Sequence, residues 1–397
     1  MEIYSEIENE LNRILSYWVH YSVDHVHGGF CGRRNQENEL VPESPKGSVL
    51  NCRILWTFAA AYKFSRQQEH LDLAKRAYEY IKHHFIDNKY GGVYWTVDYK
   101  GQPLETKKQT YALSFAIYGL TEYYSVSGDS EALHLAIEIF LSIEGHCRDN
   151  KKQGYFEAFQ RDWSPLDDMR LSEKDLNEAK TMNTHLHILE AYTNLFRYWK
   201  PDTLRERLED LIHIFNEHII DPDTHHLTLF MDEDWNSGHN IFSFGHDIEA
   251  SWLLLEAATV LENKEIIEKT QKKAIQLLNS AKEGLLYDGS VIYERNLDKG
   301  IDLKEKHWWV QAEAMVGFYN GFQLTGNTTY YNDFERSWHF IKTNILDLKN
   351  GEWFWGVDEN NKPMPEEDKL GIWKCPYHNT RACLEILNRK QGNNPNQ

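Results

Sequence analysis

His246 and Glu249 stand three residues apart in the segment FSFGHDIEASWLL. A carboxylate at that spacing on a helix can hold one imidazole nitrogen and orient the other. An imidazole so held is suited to proton transfer near neutral pH, because its unperturbed pKa is ~6.5. A second histidine of this kind is His378, with Arg381 one turn further on, in WKCPYHNTRACLEI. In KTMNTHLHILEAYTNL, Asn183 and His187 are four apart and share a helix face, whereas His185 points elsewhere and is expected to be structural. Arg53, Tyr111 and the Trp308–Trp309 pair with Glu313 complete the set of polar and aromatic groups set into apolar segments.

Two histidines facing each other across a cleft can remove a proton from one face of a carbon and return it from the other. Arg53 and Asn183 would hold the oxyanion formed meanwhile. That is abstraction beside a carbonyl, with inversion as its natural outcome. A glycosidase needs instead two cleft carboxylates ~5–9 Å apart, for which Glu249 and Glu313 are the candidates. A sugar-binding protein without catalysis would use the tryptophans alone and has no need of the histidines. No metal site is expected: HDIE is not H-E-x-x-H, and the HLH string chelates poorly on a helix. Gly-rich phosphate cradles, a P-loop and a G-x-S-x-G elbow are all missing, so no cofactor is expected.

These residues need a scaffold that gathers them. Turn-plus-strand segments recur at Gly29, Gly92, Gly154, Leu227, Gly289 and Gly351, at intervals of 63, 62, 73, 62 and 62 residues. Between them, apolar residues at i, i+3, i+4 and i+7 predict twelve helices: 2–20, 49–65, 69–85, 109–125, 129–146, 180–199, 203–218, 247–262, 264–281, 308–324, 328–344 and 377–389. Short and long connections alternate, and the helices after the long ones, such as LNCRILWTFAAAY, are apolar nearly all round. The expected fold is therefore all-α, an (α/α)6 barrel of six helix pairs with short β-hairpins in the long loops at one end. Every singled-out group begins an inner helix at that end. The chain reads as one catalytic domain, 1–390, with a flexible tail at 391–397.

Composition agrees with an enclosed, sugar-sized site. Of 397 residues, 41% are apolar, and 61 acids stand against 43 bases for a formal charge of −18, with no basic run to neutralise phosphates. The longest apolar stretch, Ile54–Tyr62, is too short to cross a membrane. Five scattered cysteines form no C-x-x-C pair, and with no leader-like start the cytoplasm is the expected compartment. The 13 Trp, 22 Tyr and 18 Phe exceed what a core requires, and indole faces stack on sugar rings.

KGSVLNCRILW, KTMNTHLHILEAYTNL, FSFGHDIEASWLL, KHWWVQAEAMVGFYN and WKCPYHNTRACLEI together resemble the cellobiose 2-epimerases of the N-acylglucosamine 2-epimerase superfamily. The similarity runs from about residue 20 to residue 390. The departures are Phe244 where Tyr is common and Thr380 where Gly is common. The resemblance implies an (α/α)6 barrel, a monomer, and reversible epimerisation at C2 of the reducing-end glucose of β-1,4 disaccharides. Cellobiose would give glucosyl-mannose, and lactose epilactose. It implies ring opening assisted by His187, C2 proton transfer by His246 and His378 through a cis-enediolate, and stabilisation by Arg53 and Asn183. Tyr111 would line the pocket, Glu249 would hold His246, Trp309 and Trp373 would serve as sugar platforms with Trp308 beside them and Glu313 in the substrate-binding set, and Asp175 would meet the distal sugar. A monosaccharide 2-epimerase or an aldose–ketose isomerase of the mannose or N-acylglucosamine type shares the enediolate and remains the alternative.

Overall fold

The computed structural model describes residues 2–392; residues 393–397, most of the expected tail, lie outside the described residues. It contains α1 (Glu2–Tyr21), α2 (Ser48–Ser65), α3 (Gln68–Tyr80), α4 (Thr110–Ser127), α5 (Ser130–Ser142) and α6 (Met182–Phe196). There follow α7 (Asp202–Ile214), α8 (Phe244–Val260), α9 (Lys264–Ala281), α10 (Trp308–Thr325), α11 (Thr328–Phe340) and α12 (Tyr377–Lys390). All twelve fall where the periodicity puts them. Four outer helices end in a π-helical turn (Ile81–Phe85, Ile143–Cys147, Phe215–Ile219 and Ile341–Ile345), which extends them toward the expected ends.

The even-numbered helices close on one another. Each packs on the next, α2 on α4, α4 on α6, α6 on α8, α8 on α10 and α10 on α12, and α12 returns to α2. Outside this cycle, α3, α5, α7, α9 and α11 each back their predecessor, and α1 packs on α12. The apolar all-round reading has its physical counterpart: every residue from Ser48 to Ala61 and from Thr110 to Tyr123 is buried. Among the described residues no helix is long and apolar enough to cross a membrane, and the five cysteines are free and buried.

The strands add pairings between loops to the expected hairpins within them. Two of the strand pairings, Thr96–Val97 with Pro103–Glu105 and Glu294–Asn296 with Ile301–Leu303, lie within one loop, and single antiparallel bridges such as Arg148–Tyr155, Ile220–Leu227 and Leu346–Trp353 close turns within other loops. The other strand pairings join successive loops, always antiparallel: Lys46–Gly47 with Thr96–Val97, Lys108–Gln109 with Ala158–Phe159, Lys180–Thr181 with Phe230–Met231, Ile241–Ser243 with Glu294–Asn296, and Lys306–His307 with Gly356–Val357. A bridge between Arg34 and Leu370 links the sixth loop to the first. In each ladder the first-named strand runs directly into an inner helix, so the pairing fixes where that helix starts. Buried lysines anchor several of these joints: Lys46 donates to Asp24 (2.8 Å), Lys108 to Asp87 (2.9 Å) and Lys180 to Asp149 (2.9 Å). Each of those aspartates also accepts backbone N–H groups of its own turn.

Candidate active site

The loops and inner-helix starts enclose a cleft of about 520 Å³. Arg53, Tyr111, Asp175, Asn183, His187, His246, Glu249, Trp308, Trp309, Trp373 and His378 all line it, so eleven of the twelve residues chosen from sequence converge. The twelfth, Glu313, stands behind His378.

His246 and His378 both lie beside one indole. The Trp309 ring is 4.7 Å from the His246 ring and 5.7 Å from that of His378. His378 Nδ1 donates to Glu313 Oε1 at 2.7 Å, which leaves Nε2 as its remaining ring nitrogen. Burial lowers the His378 pKa well below the histidine range, and Glu249 only partly offsets it. Burial, with help from His187, lowers His246 to about 3. Both rings are therefore neutral near pH 7 and able to accept a proton.

The expected Glu249–His246 contact is absent. His246 Nδ1 instead pairs with Ser243 Oγ at 2.7 Å, while Glu249 Oε1 accepts from Arg381 on α12. A helical side chain leans toward the N-terminus, which brings His246 to the serine that precedes its helix. The buried guanidinium meanwhile binds Glu249 more strongly than a neutral ring would. Among the described residues Glu249 Oε2 has no hydrogen-bond partner, nor has Asn183 Oδ1, and both residues line the cleft.

The carboxylate holders at the other histidines were missed. His187 Nδ1 donates to Glu190 Oε2 at 2.9 Å. Glu190 follows His187 by three residues, the same spacing that singled out Glu249. Burial would raise the Glu190 carboxyl, but the Arg381 charge and the His187 hydrogen bond hold it at about 2. Glu313 differs, since burial raises it above the usual carboxylate range. The nearest Glu249, Glu313 and His378 ligand atoms lie within 4.8 Å of one another, a spacing compatible with a metal ion. There the Arg381 guanidinium already donates to both carboxylates and supplies the positive charge.

Arg53 donates to Tyr111 Oη at 2.7 Å, and its guanidinium lies 4.2 Å above the Phe115 ring. Tyr111 stands edge-on to His187 at 4.9 Å. Trp373 is 5.8 Å from Trp95 and 6.0 Å from Tyr111, and Trp308 is 4.6 Å from Trp355, giving the cleft aromatic walls. Asp175 accepts from Ser172 N (2.9 Å) and Oγ (2.8 Å), and burial raises its pKa. A side cavity of about 110 Å³ joins Asp175 to Glu157 and Glu294, whose carboxyls burial raises to about 8 and about 7. His185 takes no part in the cleft: Nδ1 meets Thr181 O at 2.6 Å and Nε2 accepts from Tyr155 N at 3.0 Å.

Comparison with known proteins agrees with this arrangement. The family described as N-acylglucosamine 2-epimerase (GlcNAc 2-epimerase) matches residues 28–382. A cellobiose 2-epimerase of Bacteroides fragilis is 50% identical over 383 residues, 96% of this chain and 98% of that one. Another, from Dictyoglomus turgidum, is 40% identical over 389 residues, 97% of this chain and 98% of its own. The solved cellobiose 2-epimerase of Bacillus thermoamylovorans B4167 superposes with a TM-score of 0.94 at 38% identity, over 98% of this chain and 99% of that one.

Proposed function

The chain belongs to the N-acylglucosamine 2-epimerase family, and from that membership we propose that this carbohydrate epimerase inverts C2 of the reducing-end glucose of β-1,4 disaccharides. Cellobiose would become glucosyl-mannose, and lactose epilactose. The observation that carries the reading is the pair of neutral histidines beside Trp309, each tied back through Nδ1, His246 to Ser243 and His378 to Glu313. The relatives named cellobiose 2-epimerase support the substrate class.

In this reading the sugar ring opens first, with His187, held by Glu190, moving the proton between the ring oxygen and the C1 hydroxyl. Nε2 of one of His246 and His378 then removes the C2 proton, and the electron pair passes onto the C1 oxygen as a cis-enediolate. Arg53 and Asn183 hold that charge. Rotation about C2–C3 presents the opposite face, and the other histidine, having first taken a proton from solvent on its free nitrogen, returns that proton to C2, while the first releases its own to solvent. One proton leaves and one arrives, with no net electron transfer, so the reaction calls for no redox cofactor. Trp309 and Trp373 stack on the two sugars, Trp308 and Tyr111 line the pocket, and Asp175 meets the distal ring. The closed cycle of even-numbered helices is an (α/α)6 barrel, and residues 1–390 are its single catalytic domain. Five free, buried thiols suit a reducing compartment such as the cytoplasm.

The test is incubation with cellobiose, mannose or N-acetylglucosamine in D2O, followed by NMR. The mannose-ended disaccharide with deuterium at C2 is expected from cellobiose. Free glucose would point to hydrolysis instead, and turnover of mannose alone to the monosaccharide alternative. His246→Ala and His378→Ala should each lower turnover by at least about 10²-fold, the low end of what a positioned acid–base group contributes, while substrate still binds.

A further inference from the structure

Arg381 does not line the cleft, yet three other inner helices converge on it. It is 1% exposed and sits one turn along α12 from His378. Nη1 donates to Glu190 Oε1 on α6 and to Tyr377 Oη, and Nη2 donates to Glu249 Oε1 on α8 and, at 2.6 Å, to Glu313 Oε1 on α10. Two of these carboxylates are the ones that hold histidines: Glu190 accepts from His187 Nδ1 at 2.9 Å, and Glu313 from His378 Nδ1 at 2.7 Å. The two imidazoles, assigned above to ring opening and to C2 proton transfer, are therefore joined through one guanidinium. His246 is not, because its Nδ1 rests on Ser243.

Three carboxylates surround one guanidinium here, so none of them holds a cation of its own. A free buried carboxylate would turn toward whichever donor remained, and its histidine would lose a fixed partner. The planar guanidinium prevents this, since its fork presents donors in two directions at once. Lysine has the charge without the fork.

Resting on the function proposed above for its chemical meaning, we propose that Arg381 is a positioning residue for both His187 and His378, fixing Glu190 and Glu313 and through them the Nδ1–H tautomer of each ring. One anchor thus serves two steps of the reaction, while His246 is oriented independently.

The experiment is ring-nitrogen NMR of the full-length protein labelled with [15N]histidine, which reads tautomers without any substrate. In Arg381→Lys, the separated Nδ1 and Nε2 signals of His187 and His378 are expected to collapse together toward an averaged position, with those of His246 unmoved. Sugar anomerisation and C2 deuterium incorporation should both fall by at least about 10²-fold, the contribution of a positioned acid–base group. Movement of only one of the two rings, of neither, or of His246 alongside them would overturn the assignment. Should Arg381→Lys not fold, Glu249→Gln retains the arginine and removes a partner that hydrogen-bonds to neither ring; since Glu249 lies close to His378, the deciding ring in this variant is His187. It is expected to shift His187 and His378 together, and an unmoved His187 overturns the proposal. The NMR result stands even if no sugar is turned over, so failure here and failure of the proposed function are told apart.

Discussion

The two histidines beside Trp309 are held by different partners, and that difference has a measurable consequence. His378 Nδ1 donates to a carboxylate at 2.7 Å, and His246 Nδ1 meets a hydroxyl, also at 2.7 Å. With equal lengths, the contrast is one of charge. A hydrogen bond to an ionised group contributes about 1.5–3 kcal/mol, against about 0.5–1.5 kcal/mol for a neutral one. At about 1.4 kcal/mol per factor of ten, Glu313→Gln should slow the step that relies on His378 by about 10- to 150-fold, and Ser243→Ala the step that relies on His246 by about 2- to 10-fold. The measurement is the initial rate of C2 deuterium incorporation, starting from the glucose-ended and from the mannose-ended disaccharide in turn. Melting temperatures serve to exclude unfolding. If Ser243→Ala costs as much as Glu313→Gln, or if Glu313→Gln costs less than about threefold, then charge on the orienting partner is not what sets the rate.

Two further outcomes follow from other parts of the cleft. Trp373→Ala should lower kcat/KM for cellobiose more than for a monosaccharide, since its ring packs beside Trp95 and Tyr111 whereas the histidine pair packs beside Trp309; equal losses would remove it from the distal-sugar role. Burial raises Glu157 from the usual 4.5 to about 8, so between those values the folded chain keeps a proton that the unfolded chain has released. Wild-type stability from this group therefore falls as pH rises through that window, by up to about 1.36 kcal/mol per pH unit. Glu157→Gln lacks that slope and should melt progressively higher relative to the wild type between about pH 5 and pH 8; parallel melting curves across that range would refute the assignment.

Helix positions were legible because most inner helices are apolar nearly all round and the outer ones amphipathic, a pattern local to the chain. Convergence of the site was legible for the same reason, since six like units place their polar intruders at one end. Contacts across units were not. The strand that starts α4 pairs with residues 158–159, about fifty positions away, and nothing in either dipeptide names the other. Glu249 was assigned to His246 by spacing, but Arg381, 132 residues further on, claims it. Glu190 met the same spacing rule beside His187 and was overlooked because no aromatic or polar neighbour drew attention to HILE. Local spacing shows which contacts are possible, and the ring of helices decides which are made.

The packing of α1 on α12, and of α12 on α2, makes the beginning and end of the described chain neighbours in space. A growing polypeptide can lay down five of the inner helices and still lack the wall that completes the enclosure. That last wall carries His378 and Arg381, one a proposed proton carrier and the other bonded to three of the surrounding carboxylates. Contacts of such long sequence separation slow folding, because loop-closure entropy is spent before they form. Synthesis thus carries its own timing: a chain halted before residue 377 holds the tryptophans and His246 but has no second base. Proton-transfer chemistry would begin only once the polypeptide had met its own starting segment.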